Sequence, residues 1–449
     1  MNKKRKYFGT DGVRGRYGSH PITIDFAMRL GCAVGVALAK EGAVALIGRD
    51  TRRSGEALTS ALFAGLSASG VNVVDLGVVP TPAVALLISQ ESASVGIVVS
   101  ASHNPHYDNG IKLFSDQGEK VLDKLELEIE EAIDSYGGQN CDVVPGIYRC
   151  FKNSVLSYVD MCLYRLKIRS FPQNLNIVVD CANGAMTEVI KTLSQKTNLS
   201  LTTVFSEPNG FNINQNCGAV HTEELQKIVC NNKADMGVAF DGDGDRLIFV
   251  ESSGKIVDGD CILYIIATYL RSLNIEFGGV VGTIMTNLGV ELAFKDIGVP
   301  FSRSKVGDRY VLEKMQEMKW LLGGEASGHI ICKHWNTTGD ALIAFLLVVR
   351  ALDDLQVSLE SILSRVEIVP QYMINVPLTR KFEDKDMSLL TKDMEAVERR
   401  LHNSGRLVLR PSGTEPLLRV MVECKDKKIA RKEVDFLVEC IKNKIINED

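Results

Sequence analysis

Residues 236–246 read Met236-Gly237-Val238-Ala239-Phe240-Asp241-Gly242-Asp243-Gly244-Asp245-Arg246: a short apolar run opening directly into three aspartates that alternate with glycine. The same device occurs twice more. Residues 94–99 open into Ser100-Ala101-Ser102-His103-Asn104-Pro105, and residues 320–322 open into Gly323-Gly324-Glu325-Ala326-Ser327-Gly328-His329. Each of these runs is the third of a set. The sets are 43–48, 71–76 and 94–99; 176–179, 201–205 and 236–240; and 279–282, 299–302 and 320–322. Helix-length amphipathic segments separate the runs. Continuous apolar runs spaced by helices imply strands covered on both faces, hence βα units and largely parallel sheets. Ligands gather at the carboxyl ends of strands in such sheets, so the loops after the third runs are where chemistry is expected.

After residue 365 the pattern changes. Residues 366–370 and 373–376 read as linker and strand, and a charged helix is expected near 388–402. Strands are expected at 406–410 and 417–424, joined by Pro411-Ser412-Gly413-Thr414-Glu415-Pro416, with a closing amphipathic helix over 428–446. The fold class is therefore α/β: three similar α/β domains with mainly parallel mixed sheets, plus a smaller C-terminal α+β domain, around a central cleft. The expected divisions are 1–153, 154–256, 257–366 and 367–449.

Composition bounds the function. The 449 residues, at roughly 150 per domain, leave room for about three domains, and 45% hydrophobic content supplies their cores. With 51 basic and 56 acidic side chains the net charge is −5, which argues against nucleic acid as a partner. The basic start Lys3-Lys4-Arg5-Lys6 runs into Tyr7-Phe8-Gly9-Thr10-Asp11-Gly12 with no apolar segment behind it, so no signal peptide is read there. Apolar stretches around 261–270 and 341–349 fall short of the roughly 20 residues of a membrane span. Eleven cysteines without a CxxC indicate neither a disulfide framework nor a cysteine zinc site, and a reducing cytoplasm is expected.

Asp241, Asp243 and Asp245 would share one face in extended geometry, and the glycines between them remove crowding. Carboxylates so close repel one another unless a cation sits among them, and hard oxygen ligands select Mg²⁺ or Ca²⁺. The alternative is a solvated acidic turn. An EF-hand fails, because its sixth position would be Arg246 and its twelfth Ser252. Ser102 could be a nucleophile, and by itself its loop reads equally well as a helix cap or turn. His103 beside it suggests a hydrolase, but adjacent loop residues seldom face one another and no G-x-S-x-G elbow occurs. His103 and His106 have no further partner at zinc-site spacing. Lys112 lies a tight turn from Ser102 and could supply a cation or a base, the alternative being an exposed solubilising lysine.

Arg410, Ser412, Gly413 and Thr414, with Arg419 beyond them, combine arginine forks, hydroxyls and free backbone N–H groups, which suit a phosphate dianion; a hairpin loop with an incidental arginine is the alternative. Glu325, Ser327 and His329 alternate as residues that grip sugar hydroxyls do. P-loop and Rossmann glycine patterns are absent, which sets nucleotide-dependent kinases and dehydrogenases aside. A metal, a hydroxyl nucleophile, a phosphate clamp and a hydroxyl-reading loop together suit phosphoryl transfer on a phosphorylated sugar.

In these four loops, taken in order, the sequence resembles the α-D-phosphohexomutases from Tyr7 to about Val422. Gly9-Thr10-Asp11-Gly12-Val13-Arg14-Gly15, residues 100–112, and Val178-Val179-Asp180-Cys181-Ala182-Asn183-Gly184-Ala185 are most similar to the bacterial branch that interconverts glucosamine 6-phosphate and glucosamine 1-phosphate. Gly218-Ala219-Val220-His221 departs from the Gly-Ser-Thr-His of that branch, and Ala326 stands where branches vary. The resemblance implies a phosphorylated Ser102 that passes its phosphoryl group to a hexose monophosphate. The resulting 1,6-bisphosphate turns around in the cleft and returns its other phosphoryl group, a step towards UDP-N-acetylglucosamine. It further implies one Mg²⁺ on Asp241, Asp243, Asp245 and phospho-Ser102, and a hexose 1,6-bisphosphate activator. Arg246 and Lys112 would act as catalytic cations, with Lys112 as proton acceptor, and His329 would touch the sugar or assist proton transfer. Arg14, Glu325 and Ser327 would bind substrate; Arg410, Ser412, Gly413, Thr414 and Arg419 would hold the idle phosphate on a fourth domain that closes. The expected partner is a small phosphosugar, with no nucleic acid or membrane, and the chain a monomer or homodimer. Phosphomannomutase or phosphoglucomutase activity is the nearer alternative. A non-catalytic phosphosugar-binding protein is the more distant one, and it should have lost the serine or a metal aspartate.

Overall fold

A computed structural model describes residues 5–9, 11–38, 42–135, 143–168, 171, 175–380, 382–411 and 416–446, the side chains of residues 384 and 403 excepted. These fall into two compact units, one of residues 1–281 and 307–363, the other of 282–306 and 364–449.

In the first unit a six-stranded sheet has the order Val13–Arg16, Asp108–Ser115, Val95–Val99, Val44–Arg49, Asn72–Val78, Tyr148–Cys150. The strands 44–49, 72–78, 95–99 and 148–150 run parallel, the central strand 95–99 being apolar and buried throughout and the edge strand 148–150 exposed. Ala45, Ile47, Ile97 and Val99 point into a core with Phe26 and Leu30 of helix Ile24–Leu38 and Leu58 and Leu62 of helix Gly55–Ala68. Gly48 and Gly96, on the opposite face, lie under Val84 and Ile88 of helix Thr81–Glu91. A second sheet has the order Ile256–Val257, Leu247–Glu251, Met236–Phe240, Asn176–Asp180, Ser200–Val204. In a third, residues 280–281 pair in parallel with 322–323, and Leu322–Gly324 pairs antiparallel with Ile330–Cys332.

One rule runs through all three sheets. The first strand of each set lies parallel to the third, and the third is followed by an antiparallel return strand: 108–115, 247–251 or 330–332. The polar loops 100–107, 241–246 and 325–329 are therefore the turns of antiparallel pairs at the ends of buried strands. The apolar stretches too short for a membrane are core helices, Gly259–Ser272 and Ala341–Asp354. They are capped by Asp258, which accepts from the Cys261 N–H, and Asp340, which accepts from the Ile343 N–H. No helix among the described residues is long and apolar enough to cross a membrane.

The second unit carries an antiparallel sheet of Gln371–Pro377, Leu417–Cys424 and Gly405–Pro411, with Leu417–Cys424 in the middle. Helices Asp384–Leu401 and Lys427–Ile441 close its core around Leu390, Val397, Val420, Val422, Val434 and Leu437. Segment 282–306 joins this unit through polar contacts. Asn287 donates to the Val369 carbonyl at 2.9 Å and accepts from its N–H at 3.0 Å, and Arg406 donates to the Ile284 carbonyl at 2.8 Å.

Candidate active site

Ser102 follows strand 95–99 and adopts φ +53°, a left-handed backbone that serine seldom takes. Several groups hold it there. Its N–H donates to Ser100 Oγ at 2.9 Å, and that hydroxyl donates to Asp50 Oδ2 at 2.6 Å. Arg52, tied to Asp50 through Nε at 2.8 Å, sends Nη2 to the carbonyls of Ser102 (2.9 Å) and Asn104 (2.8 Å). Arg52 Nη1 reaches the carbonyls of Pro105 and Asp108. Asn214 Nδ2 donates to the same Ser102 and Asn104 carbonyls at 2.8 and 3.1 Å. The result aims Ser102 Oγ at Asp241 Oδ2, 2.7 Å away. His103 does face its neighbour, against the expectation for adjacent residues: its Nδ1 is 3.4 Å from Ser102 Oγ, because the left-handed turn swings the serine side chain round. Burial, with Arg246 and Arg14 nearby, pushes the His103 imidazole down to about 4. His106 turns away and packs edge-on against Tyr107 and Phe211.

The three aspartates converge, but not through strand alternation. Residues 241–246 turn: the Gly244 N–H donates to the Asp241 carbonyl at 3.2 Å, and Asp241 Oδ1 accepts from the N–H groups of Asp245 and Arg246, each at 3.2 Å. One oxygen from each carboxylate lies within 4.8 Å of the others, and all three side chains are buried. Asp243 Oδ2 accepts from Thr81 Oγ1 at 2.6 Å. Asp243 Oδ1 and Asp245 Oδ1 are buried with no hydrogen-bond partner. Orphaned carboxylate oxygens facing one another in a dry site are a donor set that fits a hard divalent cation. Burial, then the charges of Asp245 and Asp243, push the Asp241 carboxyl well above its ordinary range. Burial also opposes ionisation of Asp245, yet Lys112, His329 and Arg246 outweigh it and hold that carboxyl well below the usual range.

Lys112 stands on the return strand opposite Val98 and is 2% exposed, so it is no solubilising surface lysine. Its Nζ lies 2.9 Å from Asp243, 3.1 Å from Asp245 and 3.4 Å from Asp11. Burial disfavours the ammonium, but the three carboxylates override it and raise its pKa well above the ordinary lysine value. Lys112 is thus a cation held among three carboxylates.

A cavity of about 360 Å³ opens beside this group, lined by Asp11, Arg14, Asp245, Arg246, Asp308, Glu325 and His329 among others. Arg14 is paired with Asp11, and Arg246 Nε is buried without a hydrogen-bond partner. Glu325 Oε1 accepts from the Gly307 N–H at 2.8 Å. His329 is 3% exposed, with Nδ1 3.8 Å from Asp245 and Nε2 3.8 Å from Asp308. Burial lowers its pKa, but Asp245 and Asp308 outweigh burial and raise it. Ser327 is exposed on the same turn. That turn is pressed against the strand behind the aspartates: Leu247 N–H donates to the Gly328 carbonyl at 3.1 Å, and a Cβ on Gly328 would lie 2.0 Å from the Leu247 carbonyl oxygen.

In the second unit Arg410 and Arg419 are directly opposite each other on neighbouring strands, and Arg419 Nε is buried without a hydrogen-bond partner. Ser412, Gly413 and Thr414 lie outside the described residues. Sequence reasoning did not assign Asp50, Arg52, Asn214, Lys120 or Asp308. Asp50 and Arg52 carried a signal, as charges at the end of a wholly buried strand; Asn214 carried none.

Comparison with known proteins covers nearly the whole chain. The family models described as phosphoglucomutase/phosphomannomutase α/β/α domains I, II and III match residues 5–139, 157–254 and 258–369, and the C-terminal domain of the same family matches 373–439. The phosphoglucosamine mutase of Mannheimia succiniciproducens is 47% identical over 445 residues, covering 98% of this chain and 99% of that protein. That of Pasteurella multocida is also 47% identical, with the same coverage. Among solved structures, a phosphoglucomutase/phosphomannomutase family protein from Burkholderia thailandensis superposes with a TM-score of 0.79 at 24% identity, over 98% of each chain. The N-acetylphosphoglucosamine mutase of Aspergillus fumigatus, in complex with GlcNAc-6P and magnesium, gives 0.69 at 18% identity over 98% of this chain and 96% of that one.

Proposed function

The chain belongs to the phosphoglucomutase/phosphomannomutase family, and from that premise we propose that it is a phosphoglucosamine mutase, interconverting glucosamine 6-phosphate and glucosamine 1-phosphate. The carrying observation is the aim of Ser102 Oγ, 2.7 Å from Asp241, at the edge of a buried group of three carboxylates. A solvated acidic turn needs neither the burial nor the aim. The full-length likeness to phosphoglucosamine mutases selects the amino sugar.

In the active enzyme Ser102 is phosphorylated. The sugar hydroxyl oxygen forms a bond to phosphorus as the bond to Ser102 Oγ breaks; the hydroxyl proton passes to a side-chain base, and Oγ takes up a proton that it gives up again when rephosphorylated. The bisphosphate then presents its other phosphoryl group to Ser102, so a trace of hexose 1,6-bisphosphate activates the enzyme. Asp241, Asp243, Asp245 and the phospho-Ser102 oxygen would hold Mg²⁺, which when bound neutralises the phosphoryl oxygens. Lys112 and Arg246 add fixed positive charge around the same oxygens, and alignment plus charge supplies most of the catalysis in this reaction class. His329, reaching the cavity between two carboxylates, moves the proton. Arg14, Glu325 and Ser327 bind the sugar phosphate, and Arg410, Ser412, Gly413, Thr414 and Arg419 are its further phosphate-binding residues. The same reading gives four domains divided after residues 153, 256 and 366, a cytoplasmic location, and a monomer or homodimer.

The test offers the 6-phosphates of glucosamine, glucose and mannose side by side, with Mg²⁺ and catalytic hexose 1,6-bisphosphate. A preference for glucosamine of tenfold, about 1.4 kcal/mol of discrimination, is expected. A preference for mannose or glucose overturns the substrate and leaves the serine and metal assignments standing. No turnover on any of them, with Ser102 found unphosphorylated and unchargeable by mass, returns the chain to a binding protein.

A further inference from the structure

Asn214 touches neither the cavity nor the aspartate carboxylates, yet it stands against both loops that carry the chemistry. Its Nδ2 donates to the carbonyls of Ser102 and Asn104. On its other side it packs against Gly242, where a Cβ would lie 2.8 Å from that same Nδ2. Its Oδ1 is buried without a partner. The polar contacts shown for this side chain are thus the two bonds that its donor end makes to the Ser102 turn. Its backbone, at φ +58°, takes the left-handed form that Asn, Asp and Gly tolerate. Arg52 places all of its N–H groups on Asp50 and on the carbonyls of Ser102, Asn104, Pro105 and Asp108. Ser102 O and Asn104 O therefore each receive two donors, one from Asn214 and one from Arg52.

We propose that Asn214, with Arg52, is a positioning residue for phosphoryl transfer: it fixes the left-handed turn at Ser102 and registers that turn against the Asp241 loop. The inference rests on the mutase reading above. Two side chains 162 positions apart in sequence hold the same pair of carbonyls, so the line from Ser102 Oγ to the incoming hydroxyl is set by both. In-line displacement is sensitive to such placement, and a shift of about 1 Å at the reacting atoms costs on the order of 100-fold in rate.

The test uses the full chain carrying Asn214→Gly or Asn214→Asp. Both keep the left-handed backbone, and both remove the donated bonds. Turnover of glucosamine 6-phosphate is measured per active site, with sites counted by the mass of the phosphorylated Ser102 peptide. The expected result is a kcat per phosphorylated site lowered about 30-fold or more, with KM changed less than about twofold. A merely structural role would lower the melting temperature or the count of competent sites and leave kcat per site within about twofold; that outcome overturns the inference, as does a rise in KM at constant kcat. Wild-type enzyme in the same assay separates the two levels. Wild-type turnover beside undiminished variants removes only this inference, whereas a wild type without turnover on any hexose 6-phosphate removes the mutase reading and this inference with it.

Discussion

Replacing Lys112 by methionine tests the electrostatics of the site at its centre. The side chain keeps its length and loses its charge, and Asp243, Asp245 and Asp11 lose an ammonium lying between 2.9 and 3.4 Å from each. At an effective dielectric constant near 20, each such contact is worth about 5 kcal/mol before desolvation. Desolvation of the buried ammonium takes back several, and removing one partner of a buried ion pair destabilises by about 3–5 kcal/mol. At roughly 2.1 cal/mol/K of unfolding entropy per residue, a unit of this size has its melting temperature lowered by roughly 4–7 °C. A divalent cation places positive charge among the same carboxylates, so the variant should recover much of its deficit at saturating Mg²⁺, beyond the roughly 2.7 kcal/mol that any ligand at 100 times its Kd supplies. Its kcat should fall about 100-fold or more, because a fixed charge on the transferring group is lost. Acid should shrink the deficit as well: Lys112 helps to hold the Asp11 and Asp245 carboxyls well below the usual range, so the stabilisation it supplies is present above the unfolded carboxyl value near 4 and is lost as pH falls below it. Differential scanning calorimetry of both proteins, with and without Mg²⁺, reads these terms. Equal melting temperatures without Mg²⁺, or a deficit that Mg²⁺ leaves unchanged, would refute the reasoning.

Three further outcomes are expected. Ser102→Ala should abolish turnover on every hexose 6-phosphate while preserving the Mg²⁺-induced rise in melting temperature, because the three aspartates remain; retained turnover would remove Ser102 as phosphoryl carrier. Asp180 is buried and its carboxyl is pushed up to about 7 by that burial, against the N–H groups of Gly218 and Ala182 that it accepts. A carboxyl raised in the fold stabilises below its unfolded value near 4 and loses that stabilisation as pH rises through 7, so Asp180→Asn should flatten the fall in melting temperature between pH 5 and 8, and an unchanged slope would contradict the assignment. Gly328→Ala puts a Cβ 2.0 Å from the Leu247 carbonyl oxygen at a φ of +89°; stability should drop by about 2 kcal/mol or more, with KM for the sugar phosphate raised, and a melting temperature within 1 °C of wild type, where a fall of roughly 3 °C is expected, would show that the turn yields.

The sheets were legible because strands buried on both faces must be apolar throughout, and three such sets recur with helices between them. The return strands 108–115 and 330–332 were not. The first begins with Asp108-Asn109-Gly110 and carries Lys112, and the second is three residues long, so neither shows a strand's periodicity on its own. Segment 282–306 reads as part of the third set by its apolar run, and it packs with the C-terminal segment because Asn287 and Arg406 bond across to it. Nothing local in either residue announces so distant a partner.

Chemistry and positioning differ in how they are written. Asp241, Asp243 and Asp245 could be read because a cation site needs several like charges, and a single turn supplies them within five residues; the residues were legible although the geometry was mistaken, since a turn and an extended strand of the same sequence both bring the carboxylates together. Lys112 was legible as a charge, but its carboxylate partners, two of them more than 130 positions away, were not. Asn214 is an ordinary loop asparagine in sequence, and its partner carbonyl lies 112 residues away. Backbone carbonyls belong to every residue, so a side chain that works by gripping them leaves no complementary residue type to search for. Reactive groups are thus visible in the chain, whereas the groups that set their direction emerge only where the fold crosses two distant loops.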